Sequence, residues 1–463
     1  MSDQLLTQCE WRGFWWHPSD PEAVVSGTLK FVPDDGLTLT VIGVSEDRGQ
    51  FRGVLPGGDD ERTRWDVLYG LDDNNRQITL YEIALTRTGS NSVVSQEMAV
   101  IRAVIGCHID GKESPGFDAV STTVNGLSDF VRIPQADAHS AHEIAFHLPR
   151  ELSANLWLRK SQKVEYSVGG ASRSRHDEVV FSAQSAAPRP ASELIRTATK
   201  LEALISVAYQ HPMRMRTLRL RLAASALPSS RLEAAEWVDV YQDPSAVHDA
   251  RRRIPSRPTF TCDPVSAGSV VSGWFAVMDV FRGPCQMLLT LLYEQTQFVS
   301  PRVVTAVTAA EAMQSALVQS GHLYEAHLLP PDEYQEFVET VEEGLTPINR
   351  ARMMRLLRSN RDGLAGRLES LATQEDGRPL GDLLAVPGAW AAKAADARNK
   401  IAHGSVRSLP DVVTLRDVVE TAQAVVTLRL LQRLGLDEEQ LRTIVSEDSH
   451  FRWVRTLAQQ QFS

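Results

Sequence analysis

The spacing of hydrophobic residues changes along the chain, and this change limits the folds that the chain can adopt. Up to about residue 186, short runs rich in β-branched and aromatic residues alternate with Gly, Asn, Asp or Pro. Such runs predict short strands joined by turns. Beyond residue 269 the apolar residues follow a helical period, and prolines and glycines separate the segments. The sequence therefore predicts an α+β multidomain protein with its strands first and its helices last.

The clearest strand signal is a hairpin near the start of the chain. Residues 24–31 and 37–42 are β-rich runs on either side of Pro33-Asp34-Asp35-Gly36, and Asp-Gly is a favoured hairpin turn. Many short strands at this spacing indicate a β-sandwich-like region or an open barrel over residues 1–186. Further strands are predicted at residues 65–69, 77–85, 98–105, 142–147, 163–168 and 178–181.

Two further segments complete the predicted organisation. Residues 187–268 form an α+β extension and connector, with a helix that stops at Pro212 and a strand over residues 214–222. Residues 269–463 form an all-helical domain. Its helices are predicted at residues 270–297, 301–320, 331–343, 346–358, 362–373, 380–403, 415–435 and 437–446.

Composition excludes several classes of protein. Hydrophobic residues make up 43% and charged residues 23%, so the chain is neither disordered nor collagen-like. The net charge of −10 means that any nucleic-acid surface has to be a local basic patch. The four cysteines are scattered without a C-x-x-C pair, and neither a signal peptide nor a membrane-length apolar run is evident. We therefore expect a cytoplasmic protein that does not enter a membrane.

One motif in the predicted helix over residues 380–403 carries chemistry. Arg398 and His403 are five positions apart and resemble the R-x4-6-H signature of HEPN-superfamily ribonucleases. The chain contains four matches to this pattern, a number that chance alone would produce. Only this match lies in a predicted helix, with the polar Asn399 beside the arginine and Gly404 suited to follow the helix end. The context therefore favours this pair.

A second resemblance lies near the N-terminus. The run Gly13-Phe14-Trp15-Trp16-His17-Pro18, followed by Ser26-Gly27-Thr28-Leu29, resembles the N-terminal domain of the ApeA family of bacterial anti-phage proteins. In that family a C-terminal HEPN domain follows. The resemblance implies an all-α HEPN helical bundle, RNA cleavage that causes abortive infection, a phage-derived trigger, and an active site composed across a homodimer.

The chemistry of RNA cleavage explains why these residue types suit the site. Attack of a 2′-hydroxyl on the adjacent phosphate needs proton transfer near neutral pH, which histidine can supply, and a fixed positive charge, which arginine supplies. We therefore predict Arg398 and His403 as catalytic residues, with no metal or other cofactor, and the resemblance to the HEPN motif adds Asn399 to them. Helical positions five residues apart diverge by about 140°, so two facing helix ends in a homodimer would join these groups in one cleft.

Other charged residues have two interpretations each. Arg352, Arg355 and Arg358 lie along one face of a predicted helix and form either an RNA-binding track or a solvated face. Glu311 either hydrogen-bonds Arg398 or solvates its own helix. The arginines at positions 214, 216, 219 and 221 either meet RNA or another ligand, or face solvent. His139, His142 and His147 lack the spacing of a zinc site, so no metal is predicted.

A second class of function remains open at this point. The helical domain could be a non-catalytic HEPN module that only dimerises or binds, with a β-domain that recognises a ligand. Trp11, Trp15 and Trp16 are either the core of the first sheet or an aromatic edge for such a ligand. A nucleotide-dependent enzyme is disfavoured because the chain has neither a dinucleotide-binding glycine motif after a strand nor a P-loop.

Overall fold

The computed structural model describes residues 3–45, 51–52, 64–90, 93–109, 111, 114–132, 143–167, 170–224, 237–243, 255–294, 298–325, 327, 329–344, 362–373, 378–404 and 410–462. The chain divides into two compact units, Met1–Phe275 and Ala276–Ser463. The first unit is rich in strands, and the elements of the second are helices wherever the chain is described. The predicted α+β class is therefore confirmed, and the segment 187–268 belongs to the first unit.

The strands of the first unit form one continuous antiparallel sheet. A 3-10 turn over Gln4–Leu6 precedes it, and two helices accompany it, α1 (Leu127–Val131) and α2 (Ala191–Tyr209). The strands are β1 (Cys9–His17), β2 (Asp20–Val32), β3 (Gly36–Ser45), β4 (Phe51–Arg52), β5 (Arg64–Asp72), β6 (Gln77–Ser90), β7 (Val93–Ile105), β8 (Phe117–Val124), β9 (Glu143–Leu148), β10 (Leu152–Ser167), β11 (Gly170–Arg189), β12 (Met215–Leu222) and β13 (Trp237–Gln242).

A closed barrel forms the first half of this sheet. The strands follow the order β3-β2-β1-β5-β6-β7, and a further pairing of β3 with β7 closes the ring. The same sheet then continues from β7 through β13-β12-β8-β11-β10-β9 as an open sheet. The β-rich region is thus a barrel joined to an open sheet, whereas the spacing of its strands predicted a sandwich or an open barrel. Turn spacing cannot distinguish these forms, because closure depends on a pairing between strands far apart in sequence.

Trp15 lies at the centre of the barrel core. Its side chain is fully buried. A Cβ atom on Gly70 would lie 2.3 Å from Cζ3 of Trp15, and one on Gly27 would lie 3.1 Å from its Cδ1. The two glycines therefore create the space that the indole occupies. Trp11 is also buried and packs edge-on against Tyr241, which confirms the core interpretation for both tryptophans.

The open sheet packs one face against α2. That face carries buried apolar residues such as Val120, Phe181 and Leu218, and α2 contacts strands β8, β11 and β12. A buried carboxylate strengthens this contact, because Oε1 of Glu202 accepts a hydrogen bond of 2.9 Å from the backbone N–H of Met215. A buried charge requires such a partner. The helix is thus attached to β12 by apolar packing and by one specific polar bond.

The second unit is a helical bundle. The boundary between the units falls inside helix α3 (Pro264–Val280), whose first part belongs to the first unit. There Nε1 of Trp274 donates a hydrogen bond of 2.7 Å to the carbonyl of Lys200. The helices are α3 (Pro264–Val280), α4 (Arg282–Tyr293), α5 (Val299–Gln319), α6 (Pro331–Gly344), α7 (Leu364–Thr373), α8 (Arg378–Leu383), α9 (Pro387–Ala402), α10 (Val412–Arg433), α11 (Glu438–Glu447) and α12 (Ser449–Gln461).

Two predicted helices are each divided in the structure, and one helix was not predicted. Residues 270–297 contain a break at Phe281, between α3 and α4, and residues 380–403 contain a break before Pro387, between α8 and α9. Proline has no N–H and its ring clashes with the preceding turn, so a helix restarts at that residue. The final helix α12 was missed, and the predicted helix over residues 346–358 lies outside the described residues.

Helix α10 is the centre of the bundle. It is buried on almost every side, and it packs against α4, α5, α9 and α12. Its Arg429 is also buried, and Nε of this side chain donates at 2.9 Å to the carbonyl of Leu371 in the last turn of α7. The guanidinium thereby satisfies an orphan carbonyl and meets the negative end of the α7 dipole. This bond anchors α7 to the central helix.

No single helix in the described parts of the chain is both long enough and apolar enough to cross a membrane. One adjacent but bent pair, α3 with α4, passes the same test of length and composition. Both helices have fully buried side chains, such as Trp274 in α3 and Leu288 in α4. Core helices of globular proteins have the same composition.

The packing around Trp15 predicts the effect of a single methyl group. We expect Gly70→Ala to destabilise the first unit by about 1–3 kcal/mol, because the new Cβ overlaps an indole that is already fully enclosed. The measurement is urea unfolding of the full chain, followed by near-UV circular dichroism. Gly283→Ala in α4 is the control, since no described atom lies within 4 Å of its Cβ position. Equal midpoints for both variants would contradict the packing account.

Candidate active site at the end of α9

Helix α9 carries the R-N-x-x-x-H motif in its last turns. Pro387 begins the helix, where a missing N–H is no disadvantage. The helix ends as predicted at the motif: His403 occupies the cap and Gly404 follows with a φ of 69°. Glycine adopts this left-handed conformation without steric strain. The histidine is therefore presented at a defined helix end.

The opposite side of α9 fixes the helix in the bundle. Small residues such as Ala391 and Ala394 are buried and allow close approach to α5, α7 and α10. Trp390 is fully buried, and its Nε1 donates a hydrogen bond of 3.1 Å to Oγ1 of Thr421 on α10. Buried indole N–H groups require such partners. This anchor sets the position of α9 on the central helix.

Arg398 lies at the border between the buried and exposed sides of α9. Its side chain is half-buried, and Nη1 donates at 3.2 Å to Oδ1 of Asn399. Its Nε is buried and has no hydrogen-bond partner among the described residues. The Nε atoms of Arg102, Arg302 and Arg367 share this property, so it does not by itself distinguish Arg398. The half-exposed guanidinium of Arg398 is a charged donor fork of the kind that binds phosphate oxygens.

His403 is exposed at the helix end. Its backbone N–H donates at 2.9 Å to the carbonyl of Asn399, while its imidazole makes no hydrogen bond within the described residues. No hydrogen bond joins Arg398 to His403 in the part of the chain that is described. The structure therefore brings Arg398 and Asn399 together and leaves the imidazole apart, as expected for side chains that diverge by about 140° on one helix.

The structure gives Glu311 a different partner from the one that was expected. Its carboxylate lies 2.7 Å from Nη2 of Arg367, with both side chains partly buried. Helix α7 packs against both α5 and α9, so Arg367 rather than Arg398 faces the acidic side chain. The expected hydrogen bond between Glu311 and Arg398 is thus replaced by an ion pair between α5 and α7. Sequence spacing alone carried no signal for this pair.

The other predicted binding residues have mixed outcomes. Arg352, Arg355 and Arg358 lie outside the described residues, as do His139 and His142. His147 lies on β9, and its backbone carbonyl accepts a hydrogen bond from Ser272. Within the described ranges, no group of three or more His, Cys, Asp or Glu side chains could hold a metal ion.

The arginines around β12 form ion pairs. Each guanidinium is mostly buried and lies beside an acidic side chain, so neither a free cationic patch nor a simple solvent face describes them. The pairs are Arg214 with Asp34 at 2.8 Å, Arg216 with Asp3 and with Glu178 at 3.1 Å, Arg219 with Asp239 at 3.0 Å, and Arg221 with Asp118 at 2.6 Å. Their partners come from distant segments of the sequence, which is why the pattern did not reveal them.

A buried acid lies in the helix that supports α9. Asp417 on α10 is almost fully buried, and its Oδ2 has no hydrogen-bond partner among the described atoms. Burial raises the pKa of this carboxyl above its ordinary value, against the smaller opposing effects of Arg416 and Gln461. The ionised form is therefore disfavoured in the folded protein.

A closed barrel that continues into an open sheet, followed by a helical bundle with R-N-x-x-x-H at a helix end, defines a two-part protein. Residues 10–274 match the family model of ApeA N-terminal domain 1, which is more than half of the 463-residue chain. The chain belongs to the ApeA family of anti-phage defence proteins. The matched region coincides with the first unit, Met1–Phe275. No curated protein and no solved structure matches the chain.

Asp417 predicts a pH-dependent effect on stability. Its folded-state pKa is raised, so the folded state holds this proton more tightly than the unfolded chain, and stability falls as the pH rises through the folded pKa. We therefore expect Asp417→Asn to raise the urea midpoint at pH 7.5 and to change it less at pH 4. Asp396→Asn is the control, because that exposed carboxylate only pairs with Lys400 on the same helix. A gain that is identical at both pH values would contradict the assignment.

Proposed function

We propose that the helical unit is a HEPN-type endoribonuclease that cleaves RNA without a metal ion and causes abortive infection. The proposal rests chiefly on one observation. A half-exposed Arg398, whose Nη1 is held by Asn399, lies about one and a half turns before an exposed His403 at the helix end. Membership of a family of defence proteins supports a toxic effector activity.

The two side chains divide the chemistry between them. The guanidinium of Arg398 binds the phosphate oxygens and stabilises the charge that develops on them. One imidazole accepts the proton of the attacking 2′-hydroxyl, and the bond to the 5′-oxygen breaks as a second imidazole protonates that oxygen. The products are a 2′,3′-cyclic phosphate and a 5′-hydroxyl end. Asn399 holds Nη1 of the arginine and so orients the remaining donors.

A homodimer supplies the second imidazole. On one helix the side chains at positions 398 and 403 are separated by about 140° in direction and about 7.5 Å in rise, so a single helix end does not direct both at one phosphate. Two helix ends related by two-fold symmetry place two arginines and two histidines around one cleft. In this proposal the first unit recognises a phage-derived trigger, and recognition releases the ribonuclease activity.

Two substitutions test the catalytic assignment. We expect His403→Ala and Arg398→Ala each to reduce cleavage of bacterial RNA by at least about 100-fold and to abolish protection in a phage plating assay. Arg398→Lys should also fail, since an ammonium cannot replace the planar donor fork. His322→Ala and Arg452→Ala are matched controls, because both side chains are exposed in the same unit and lie outside the motif.

Circular dichroism spectra must match the wild type, so that a loss of activity is not a loss of folding. Full protection by a folded His403→Ala variant would contradict catalysis and favour a non-catalytic module that dimerises or binds. Cleavage should also persist in EDTA. A loss in EDTA that magnesium restores would contradict the metal-independent mechanism.

Mixed dimers test the composite site. When wild type is co-expressed with an equal amount of the double variant Arg398→Ala/His403→Ala, random pairing leaves about one quarter of the dimers intact. We expect activity to fall to about that fraction if mixed dimers are inactive, against about one half for simple dilution. The measurement is the cleavage rate per total amount of dimer, after purification of all dimers. A chain that sediments as a monomer and still cleaves RNA at nanomolar concentration would contradict the dimer.

A further inference from the structure

The open sheet of the first unit has a second face, opposite α2, that the ribonuclease proposal does not use. Its side chains lie in three rows that follow the strand register. The middle row crosses six strands from Asp239 to Ala145, and its central members are the short residues Ser121 and Ser182. The first two rows are Trp237-Arg221-Ala119-Gln184-Ser153-His147 and Asp239-Arg219-Ser121-Ser182-Asn155-Ala145, and the third contains the pairings Thr217-Thr123 and Val180-Trp157-Glu143.

Short side chains between tall ones create two adjoining cavities on this face. Their volumes are about 480 Å³ and about 570 Å³. Trp157, Ser182 and Trp237 line both of them, so the two indoles border the same space. Cavities of this size are typical of sites for small molecules.

The two indoles are held in position by neighbouring side chains. Nε1 of Trp157 donates at 3.5 Å to Oγ of Ser182, which lies on the neighbouring strand β11. The guanidinium of Arg221 lies 5.9 Å from the ring centroid of Trp237. Such cation–π contacts orient an aromatic ring. Preorganised aromatic surfaces favour a flat ring as a ligand, because stacking then requires little ordering.

Asn155 gives this face an unsatisfied acceptor. Its Nδ2 donates to Oε1 of Glu143 at 2.7 Å, whereas its Oδ1 is buried and has no partner among the described residues. Asn155 lines the larger cavity, beside Ser182. A buried acceptor without a donor is unfavourable, so a ligand that brings an N–H group is stabilised here. Amide side chains read the amino groups of nucleobases in this way.

The two arginines on this face are neutralised. Arg219 pairs with Asp239 at 3.0 Å, and Arg221 pairs with Asp118 at 2.6 Å. Each guanidinium is thus neutralised by a carboxylate on a neighbouring strand, and the face offers no surplus positive charge to a phosphate. These pairs favour an uncharged ligand over an anionic one.

We propose that this face, with its two tryptophans and the free acceptor of Asn155, binds an uncharged ligand of the nucleoside class. The heterocycle stacks on the indole of Trp157, which lies two residues from Asn155 on the same face of β10, and an amino or imino N–H of the base donates to Oδ1 of Asn155. Ser121 and Ser182 leave room for the ring. The site lies wholly within the first unit and does not depend on the ribonuclease assignment.

The test is calorimetric titration of the full chain with the four ribonucleosides and their 5′-monophosphates. We expect at least one nucleoside to bind, and its monophosphate to bind no more tightly. Trp157→Ala and Asn155→Ala should each weaken binding by about tenfold, from loss of stacking and of the acceptor. Ser182→Phe should abolish binding by filling the space between the indoles, whereas Ser182→Ala should retain it.

Two controls separate this site from the rest of the protein. Trp453→Ala removes an exposed indole in the second unit and should leave the affinity unchanged. His403→Ala should also bind the nucleoside normally, which distinguishes this site from the proposed nuclease centre. Absence of binding by all four nucleosides would overturn the proposal. Binding of neutral oligosaccharides instead, or tighter and salt-sensitive binding of the monophosphates, would overturn it as well, as would unchanged affinity in a folded Ser182→Phe variant.

Discussion

The fold of the first unit depends on one edge of strand β7, along which two other strands, β3 and β13, pair. Residues Val93–Val100 of β7 pair with β3 and close the barrel, and the following residues Arg102–Ile105 pair with β13 and start the open sheet. Asp243 lies where these partners meet: its backbone N–H donates to the carbonyl of Ile101 at 3.0 Å, and its carboxylate accepts from the N–H of Leu37 at 3.4 Å. Asp243 therefore supplies hydrogen bonds at the point where the two strands that share this edge meet. Without this division either the barrel would remain open or the sheet would end at β7.

The second unit has a comparable central element in α10. The carbonyl of Leu371 in α7 accepts a hydrogen bond from the buried Arg429, and Oγ1 of Thr421 accepts one from the indole N–H of Trp390 in α9. Because hydrogen bonds are directional, these two bonds fix the positions of α7, α9 and α10 more specifically than apolar packing alone. A helix held in this way presents its C-terminal end in a fixed orientation, which a catalytic group requires. The exposed motif therefore rests on a rigid base.

The two proposed sites use opposite electrostatic principles. At the end of α9, the half-exposed guanidinium of Arg398 lies near an exposed histidine, which suits a phosphate. On the sheet face, Arg219 and Arg221 are neutralised by carboxylates, which suits an uncharged ring. In the two proposals, recognition of a signal and cleavage of a polymer are thus assigned to surfaces that differ in charge. Membership of a defence family is consistent with such a division of labour.

Local pattern determined the element types, the order of the two halves, the helix end at His403 and Gly404, and the family resemblance later matched over residues 10–274. These properties depend on residues that are close in sequence, where periodicity and capping act. Barrel closure, the ion pair of Glu311 with Arg367, and the paired arginines around β12 were decided only by the tertiary structure. Each of them joins residues that are distant in the chain, and single-sequence periodicity carries no information about such pairings. The cavities bordered by Trp157 and Trp237 belong to the same category, because strand register alone brings those side chains to one face.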